Sequence, residues 1–151
     1  MKRMPSKAAV IFMNIMKLVV PKSMTSFLEE DCTLRQGLEK MRYHGYTAIP
    51  VLNSEGEYVG TLSEGDFLWS MVDRDDFSMR SQEDVRISEI LRHDALPPLR
   101  IDAGMAQIVM DIMERNFAPV VDDRNKFVGI VTRRDVLRYL SDSYFRVNDT
   151  L

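Results

Sequence analysis

Two stretches of the sequence repeat each other. Ala48-Ile49-Pro50-Val51-Leu52 leads to Val59-Gly60-Thr61-Leu62-Ser63, and Ala118-Pro119-Val120-Val121 leads to Val128-Gly129-Ile130-Val131-Thr132. Pro50 and Pro119 are 69 positions apart (119 − 50 = 69), and the same offset relates Asp66 to Asp135 without a gap. An ungapped internal repeat of this length predicts a duplicated fold unit.

The first copy predicts a helix followed by a hairpin. Apolar side chains between residues 34 and 41 have helical spacing, with Asp31 or Thr33 as the N-cap and Gly45 as the stop. Residues 47–62 contain two short apolar runs that flank a turn sequence. Runs this close together should pair as antiparallel strands.

Further elements at both ends complete the first unit. Ser63 predicts the N-cap of a second helix over residues 64–72. Residues 23–28 predict a leading strand, and the apolar spacing of residues 12–19 predicts a short entry helix. Without its entry helix, the unit has the order β-α-β-β-α.

The second copy follows the same plan. Residues 97–101 are strand-like, and their prolines should keep this strand near a sheet edge. A helix over 105–112 and a hairpin over 117–131 follow, and Thr132 predicts the cap of a last helix over 133–140. The predicted fold class is therefore α+β, with two β-α-β-β-α repeats.

These elements predict a division of the chain into five parts. In the second copy Ser88 should cap a short entry helix, and the chain after Asp142 should fray. The parts are a leader (1–12), a first repeat (13–72), a polar connector (73–84), a second repeat (85–141) and a tail (142–151).

Composition restricts the function classes. The 151 residues carry a net charge of −3, which argues against broad nucleic-acid binding. No stretch approaches the roughly 20 apolar residues of a membrane span. The single cysteine, Cys32, cannot form an internal disulfide, which suits a reducing cytoplasm. His44 and His93 lack metal-ligand spacing, and no catalytic triad or Walker-type loop occurs, so we expect no enzyme, no metal and no required cofactor.

The repeated motif resembles that of the cystathionine-β-synthase (CBS) domain family. Its pattern is hydrophobic-Pro-Val, a turn, then hydrophobic-Gly-x-hydrophobic-(Ser/Thr)-x-x-Asp at the start of a helix, and it occurs at 49–66 and again at 118–135. The resemblance implies a tandem pair, or Bateman module, whose repeats are related by a pseudo-twofold axis. It also implies clefts for adenosine compounds and further pairing into a homodimer.

A nucleotide cleft needs a carboxylate for ribose hydroxyls, cations for phosphates and an apolar slot for the base. Asp66 and Asp135 each lie three residues after a hydroxyl, which is also the spacing of a capping box. The resemblance implies that they bind ribose. Ser63 and Thr132 are predicted N-caps that can also contact a ligand.

Arg133 and Arg134 are the strongest candidates for binding phosphate. Positive charge at a helix start is mildly unfavourable, so a doubled arginine there suggests an anion. The alternative is a solvated basic face. The first copy has Glu64 and Gly65 at the matching positions, so the two copies are not equivalent.

Stand-alone bacterial CBS-pair proteins that bind cyclic di-AMP are similar at Gly45–Leu52 and at Thr-Arg-Arg, residues 132–134. The resemblance implies that one site takes Lys22, residues 46–48 and the arginines. Because Asp135 follows the arginines in this sequence, mononucleotides remain alternative ligands. Besides Ser63, Asp66 and residues 132–135, the candidate ligand contacts are Lys22, Ser23, Met24, Tyr46, Thr47, Ala48, Ile49, Pro50, Ala118 and Pro119.

The sequence as a whole predicts a cytoplasmic, non-enzymatic sensor of an adenine nucleotide. Cyclic di-AMP is slightly favoured over AMP or ATP, and one asymmetric cleft is expected to draw on both copies. A homodimer that signals to an unidentified regulated protein is expected, without membrane or nucleic-acid partners. The alternative is a ligand-free dimerisation or interaction module.

Overall fold

The computed structural model describes residues 15–92 and 96–148. The predicted leader, His93 and residues 149–151 of the predicted tail lie outside these ranges. Residues 15–18 are helical, as predicted for the end of the entry helix. Ile15 and Leu18 are buried, whereas Met16, which shared the predicted apolar spacing, is exposed.

The labelled elements follow the chain in this order. They are β1 (Val20–Pro21), β2 (Leu28–Glu29), α1 (Leu34–His44), β3 (Ala48–Leu52), β4 (Tyr58–Ser63), α2 (Glu64–Arg74), α3 (Met79–Asp84), β5 (Leu99–Arg100), α4 (Met105–Glu114), β6 (Phe117–Val121), β7 (Phe127–Thr132) and α5 (Arg133–Asn148). Short 3-10 helices occupy Lys22–Met24 and Ile87–Glu89.

One compact unit contains residues 26–97 and 124–127. Its sheet has the order β2-β3-β4, with β3 parallel to β2 and antiparallel to β4, which confirms the first hairpin. Thr33 caps α1 through a reciprocal contact with Gln36, and Gly45 ends the helix in the left-handed conformation. The core residues are Leu28, Leu34, Met41, Ile49, Val51, Leu62, Phe67, Val85 and Ile87.

The other compact unit contains residues up to 25, 98–123 and 128 onward. Its sheet has the order β1-β7-β6-β5, so β5 lies at an edge, as the prolines directly before it predict. Pro21 of β1 lies opposite Gly129, where a Cβ atom would collide with the carbonyl oxygen of Val20. The core residues are Ile15, Leu18, Leu99, Ala103, Ile108, Ile112, Ala118, Val120, Val131 and Val136.

The entry segments of the two repeats are exchanged between the units. Ile15 and Leu18, from the start of the first repeat, pack in the core that holds the second hairpin. Val85 and Ile87, from the start of the second repeat, pack in the core that holds the first hairpin. Backbone hydrogen bonds fix the latter: Leu34 N–H donates to Val85 O at 2.9 Å and Ile87 N–H to Cys32 O at 2.9 Å.

Two short predicted elements are wrong. The strand expected over 23–28 starts instead as a 3-10 turn closed by a Thr25 N–H to Lys22 O bond of 3.1 Å, and only Leu28–Glu29 is extended. Ser88 does not cap a helix; it lies inside the Ile87–Glu89 turn. Both turns are closed by local hydrogen bonds, whereas the extended residues beside them pair with distant parts of the chain.

Helices extend beyond their predicted ends. Helix α2 runs to Arg74, and the predicted connector contains α3, which Ser78 caps. Helix α5 continues to Asn148, so fraying directly after Asp142 is wrong for residues 143–148. It contains no Gly or Pro, and Ser143 Oγ donates to Tyr139 O at 2.8 Å. No helix within the described ranges is long and apolar enough to span a membrane.

Candidate functional site

The first turn of α5 carries three of the predicted ligand contacts. The Thr132 hydroxyl donates to Asp135 Oδ2 at 2.8 Å, and Asp135 N–H donates to Thr132 Oγ1 at 3.1 Å, which confirms Thr132 as the N-cap. Asp135 Oδ1 lies 3.9 Å from Arg138 Nη1, and the Asp135 side chain is 34% exposed. One carboxylate oxygen therefore has no hydrogen-bond donor within the described part of the chain.

Arg134 lies on the neighbouring face of this turn. It is exposed, and among the described residues it has no ion pair or hydrogen bond. Together with Asn116, Thr132, Arg133 and Leu137 it lines an open cleft of about 420 Å³. A guanidinium without a competing acceptor is suited to bidentate contact with a phosphate.

Arg133 is placed differently. Its Nε donates to Ile112 O at 2.7 Å and its Nη2 contacts Met113 O at 3.5 Å, both in the last turn of α4. Helix α4 ends at Arg115 in extended conformation, without a glycine, so its final carbonyls need donors from elsewhere. Arg133 supplies them, a use that the sequence analysis did not foresee; its role as a phosphate ligand stays a prediction.

The matching turn of α2 is more fully paired. Ser63 N–H and Ser63 Oγ donate to Asp66 Oδ2 at 2.8 and 2.9 Å, and Asp66 N–H donates to Ser63 Oγ at 3.2 Å. Arg92 Nε pairs with Asp66 Oδ1 at 2.7 Å, and the Asp66 side chain is 10% exposed. Both oxygens of this carboxylate are therefore occupied. The capping box is confirmed, and the predicted ribose contact stays a prediction.

Asp66 and Asp135 each line a polar cleft within their own unit, and the Asp135 cleft is separate from the one that Arg134 lines. The Asp66 cleft has a volume of about 260 Å³ and the Asp135 cleft about 350 Å³. The lining residues of the first are Asp66, Trp69, Ser70, Asp73, Arg74, Glu89, Ile90 and Arg92. Those of the second are Lys17, Leu18, Val19, Val20, Asp135, Arg138, Tyr139 and Asp142. The two clefts occupy matching places in their units, since each combines the start of a helix with an exchanged entry segment.

Tyr46 is held by its neighbours in the first unit. Its ring stacks on His44 with centroids 5.3 Å apart and planes inclined by 17°. His44 Nε2 lies 3.0 Å from Ser26 Oγ, which anchors the imidazole. Thr47 is exposed, and its carbonyl accepts the Glu64 N–H at 3.0 Å. The segment that leads into β3 is therefore ordered before any ligand contacts it.

Four predicted contacts are buried strand residues. Ile49 and Ala118 belong to the two hydrophobic cores, and Pro50 and Pro119 are buried beside them. Their side chains are covered because both faces of these two strands are buried, and their place among the ligand contacts stays a prediction.

The three predicted contacts at the start of the chain, Lys22, Ser23 and Met24, are exposed and share a compact unit with α5. In β1, Val20 lies opposite Ile130 and Pro21 opposite Gly129, and Lys22 follows in the 3-10 turn. The role of residues 22–24 as ligand contacts stays a prediction. Lys17, which the sequence analysis missed, lines the Asp135 cleft.

Other reactive groups do not form a centre. Burial, and next the Asp31 carboxylate, raise the pKa of the Cys32 thiol, so the thiol stays protonated at neutral pH. Within the described ranges, no three His, Cys, Asp or Glu side chains are grouped as a metal site. The contacts that sequence reasoning missed, Arg92 and Lys17, come from entry segments whose spacing carries no signal for them.

Curated relatives of the chain include proteins with and without a described ligand. An uncharacterised protein of Methanopyrus kandleri is 28% identical over 106 residues, which are 66% of this chain and 49% of that protein. Cyclic di-AMP receptor B of Bacillus subtilis is 28% identical over 97 residues, which are 64% of this chain and 65% of the receptor. The chain therefore spans less than two thirds of the length of these relatives.

Solved structures share the fold at low sequence identity. CbpB in complex with c-di-AMP has a TM-score of 0.82 and 21% identity, covering 97% of this chain and 100% of CbpB. CBSX2 in complex with AMP has a TM-score of 0.71 and 19% identity, covering 86% of this chain and 97% of CBSX2. These superpositions confirm the predicted mixed fold of helices and sheets.

The family itself follows from a direct match. The family model described as the CBS domain covers residues 17–73 and again residues 87–142. Each match contains one hairpin and the beginning of one of the two capped helices, including Asp66 or Asp135. This chain belongs to the CBS domain family and carries two copies of the domain.

Proposed function

We propose that this protein binds an adenine nucleotide without turning it over and acts as a regulatory sensor. The observation that carries the proposal is the first turn of α5. There Arg134 offers a guanidinium without a partner among the described residues, and Asp135 offers an open carboxylate oxygen. One helical turn thus carries a group for phosphate and a group for a ribose hydroxyl, and the two line different clefts.

Cyclic di-AMP is the first ligand to test. The Gly-Tyr-Thr-Ala-Ile-Pro-Val-Leu and Thr-Arg-Arg stretches resemble those of cyclic di-AMP-binding CBS pairs, and two similar proteins are described with this ligand. In the proposal Tyr46 stacks on an adenine with the ring face that His44 leaves open. Thr47 and Ala48 supply backbone groups to the base edge.

One observation favours a mononucleotide as the second candidate. AMP carries free 2′- and 3′-hydroxyls on one ribose, whereas cyclic di-AMP has each 3′-oxygen esterified. The open Oδ1 of Asp135 can accept a hydrogen bond from either hydroxyl of AMP. AMP and ATP therefore remain in the proposal, and CBSX2 provides a fold neighbour with AMP bound.

The proposal extends to a cytoplasmic homodimer that signals to a regulated protein. Leu68 on α2 and Leu137 on α5 occupy matching positions, and they are 48% and 55% exposed. Exposed leucines at the same position of both copies suit an apolar contact with a second copy of the chain. A partner that reads the bound state must in turn alter the nucleotide affinity by the same factor.

The test is a calorimetric titration with cyclic di-AMP, AMP, ADP, ATP and S-adenosylmethionine, alongside thermal unfolding. A ligand at 100 times its dissociation constant should stabilise the protein by about 2.7 kcal/mol. Arg134→Ala should weaken binding by about 10- to 150-fold, since a charged hydrogen bond contributes about 1.5–3 kcal/mol. Arg80→Ala is the matched control, because Arg80 is an exposed helical arginine distant in sequence from the motif. Absence of binding by all five compounds would favour a ligand-free interaction module.

A further inference from the structure

The two motif carboxylates differ in how many of their oxygens are free. Asp66 accepts from Ser63 at Oδ2 and pairs with Arg92 at Oδ1, 2.7 Å away. Asp135 accepts from Thr132 at Oδ2, but its Oδ1 has only Arg138 at 3.9 Å, beyond hydrogen-bond distance. The same motif therefore gives one occupied and one open acceptor.

The occupied acceptor is difficult for a neutral hydroxyl to reach. A guanidinium at 2.7 Å from a carboxylate that is 10% exposed makes a charge-assisted bond, about twice as strong as a bond from a neutral donor. A ribose hydroxyl would have to displace Arg92, and its own hydrogen bond to Asp66 would be the weaker of the two. Asp66 is therefore a poor ribose ligand while Arg92 stays in place.

The entry segments supply a matched cation in each cleft. Lys17 and Arg92 are equivalent when Ile15-Met16 is aligned with Ile90-Leu91. Lys17 lines the Asp135 cleft but makes no ion pair with Asp135, and within the described ranges it has no other partner. A shorter reach and a single point charge distinguish the lysine from the forked guanidinium. A lysine at this position in the Asp135 cleft and an arginine in the Asp66 cleft thus make the two clefts chemically different.

We propose that Arg92 is the residue that determines specificity between the clefts: it closes Asp66 to ribose and leaves Asp135 as the open motif carboxylate. The inference rests on the proposed function for its ligand, an adenine ribonucleotide, but the closure itself is a property of the free protein. Removing Arg92 should therefore expose Asp66 in the absence of any nucleotide.

The first experiment uses the full chain without nucleotide and a water-soluble carbodiimide with an amine, read by peptide mass spectrometry. Asp135 should be modified faster than Asp66 in the wild type. Arg92→Ala should raise the Asp66 rate by about tenfold, the change expected for a lost interaction of about 1.4 kcal/mol. Lys17→Ala, the matched control, should leave the Asp135 rate within about twofold. An Asp66 rate that does not change in Arg92→Ala overturns the inference.

The second experiment titrates AMP and cyclic di-AMP into the same proteins. For whichever nucleotide binds, Asp135→Asn should weaken affinity by about tenfold, while Asp66→Asn should change it by less than about twofold. In the Arg92→Ala background, Asp66→Asn should become costly to affinity. Equal losses for Asp66→Asn and Asp135→Asn in the wild type overturn the inference. If neither nucleotide binds, the proposed function fails, and the labelling result alone decides about Arg92.

Discussion

The two repeats end their first helices by different means. Helix α1 ends at Gly45, whose left-handed conformation lets its N–H reach Met41 O and Arg42 O. Helix α4 has Arg115 in extended conformation at the matching position, and its carbonyls accept from Arg133 instead, where the first repeat has Glu64. A glycine in one copy and a distant arginine in the other thus solve the same problem of unsatisfied carbonyls.

This difference changes the interpretation of the doubled arginine. Positive charge at the start of α5 is unfavourable for that helix, which suggested a bound anion. The structure shows that the Arg133 charge lies against the negative end of α4, where it is favourable. Only Arg134 needs another explanation, so the phosphate proposal depends mainly on one arginine.

The largest expected effect concerns the paired glycines of the hairpins. A Cβ atom at Gly129 would collide with the backbone of Val20, which belongs to β1, whereas at Gly60 it would meet the end of the Leu91 side chain at 2.8 Å. Gly129→Ala should therefore lower the free energy of unfolding by more than about 3 kcal/mol, and Gly60→Ala by about 1 kcal/mol. Urea unfolding of both variants measures the difference. Equal losses would contradict the β1–β7 register.

The next effect tests the two helix ends. Arg133→Ala leaves two carbonyls of α4 without their donor and should cost about 1–2 kcal/mol of unfolding free energy. Gly45→Ala forces a side chain into the left-handed region at φ 68° and should cost about 1 kcal/mol. Glu64→Ala, at the position that matches Arg133, should change stability by less than about 0.5 kcal/mol and serves as the control. If Arg133→Ala leaves the free energy of unfolding unchanged, Arg133 instead belongs to a solvated basic face.

The smallest effect is a pH dependence found in the first repeat. Burial raises the pKa of Cys32. Its match in the second repeat is Ala103, because the Cys32 N–H donates to Glu29 O and the Ala103 N–H donates to Arg100 O at the equivalent turn. Because the folded pKa is above the unfolded one, this group stabilises the fold below the unfolded pKa, and the contribution is lost as pH rises through the folded value. Alkylation by iodoacetamide at pH 8 should be slower in the native protein than in urea. Equal rates would contradict the raised pKa.

The sequence predicted the elements whose signals are local. The hairpins, the Thr33, Ser63 and Thr132 caps and the Gly45 stop all depend on neighbouring residues, and the structure confirms them. The strand over 23–28 was wrong because the extended residues nearby are set by pairing with β7, more than a hundred positions away. No local pattern encodes that pairing.

The candidate site could be predicted only in part, for the same reason. Asp135 and Arg134 follow from the motif, whereas the Arg92 contact joins residues from different repeats and the Arg133 contact reaches across 21 positions. The burial of Ile49 and Ala118 could be predicted from the continuous apolar runs of β3 and β6, which are typical of strands covered on both faces. Contacts between long side chains that are distant in sequence produce no periodic pattern from which they could be predicted.

The exchanged entry segments have a consequence for how such a chain can arise. The sheet that contains the second hairpin needs β1 from the first repeat, and the first core needs Val85 and Ile87 from the second. A single repeat, translated alone, would present an unpaired β7 edge and a core lacking its closing residues. An ancestor with one copy could complete itself only by trading these segments with a second molecule. Gene duplication and fusion would then have turned that exchange between molecules into one within a chain.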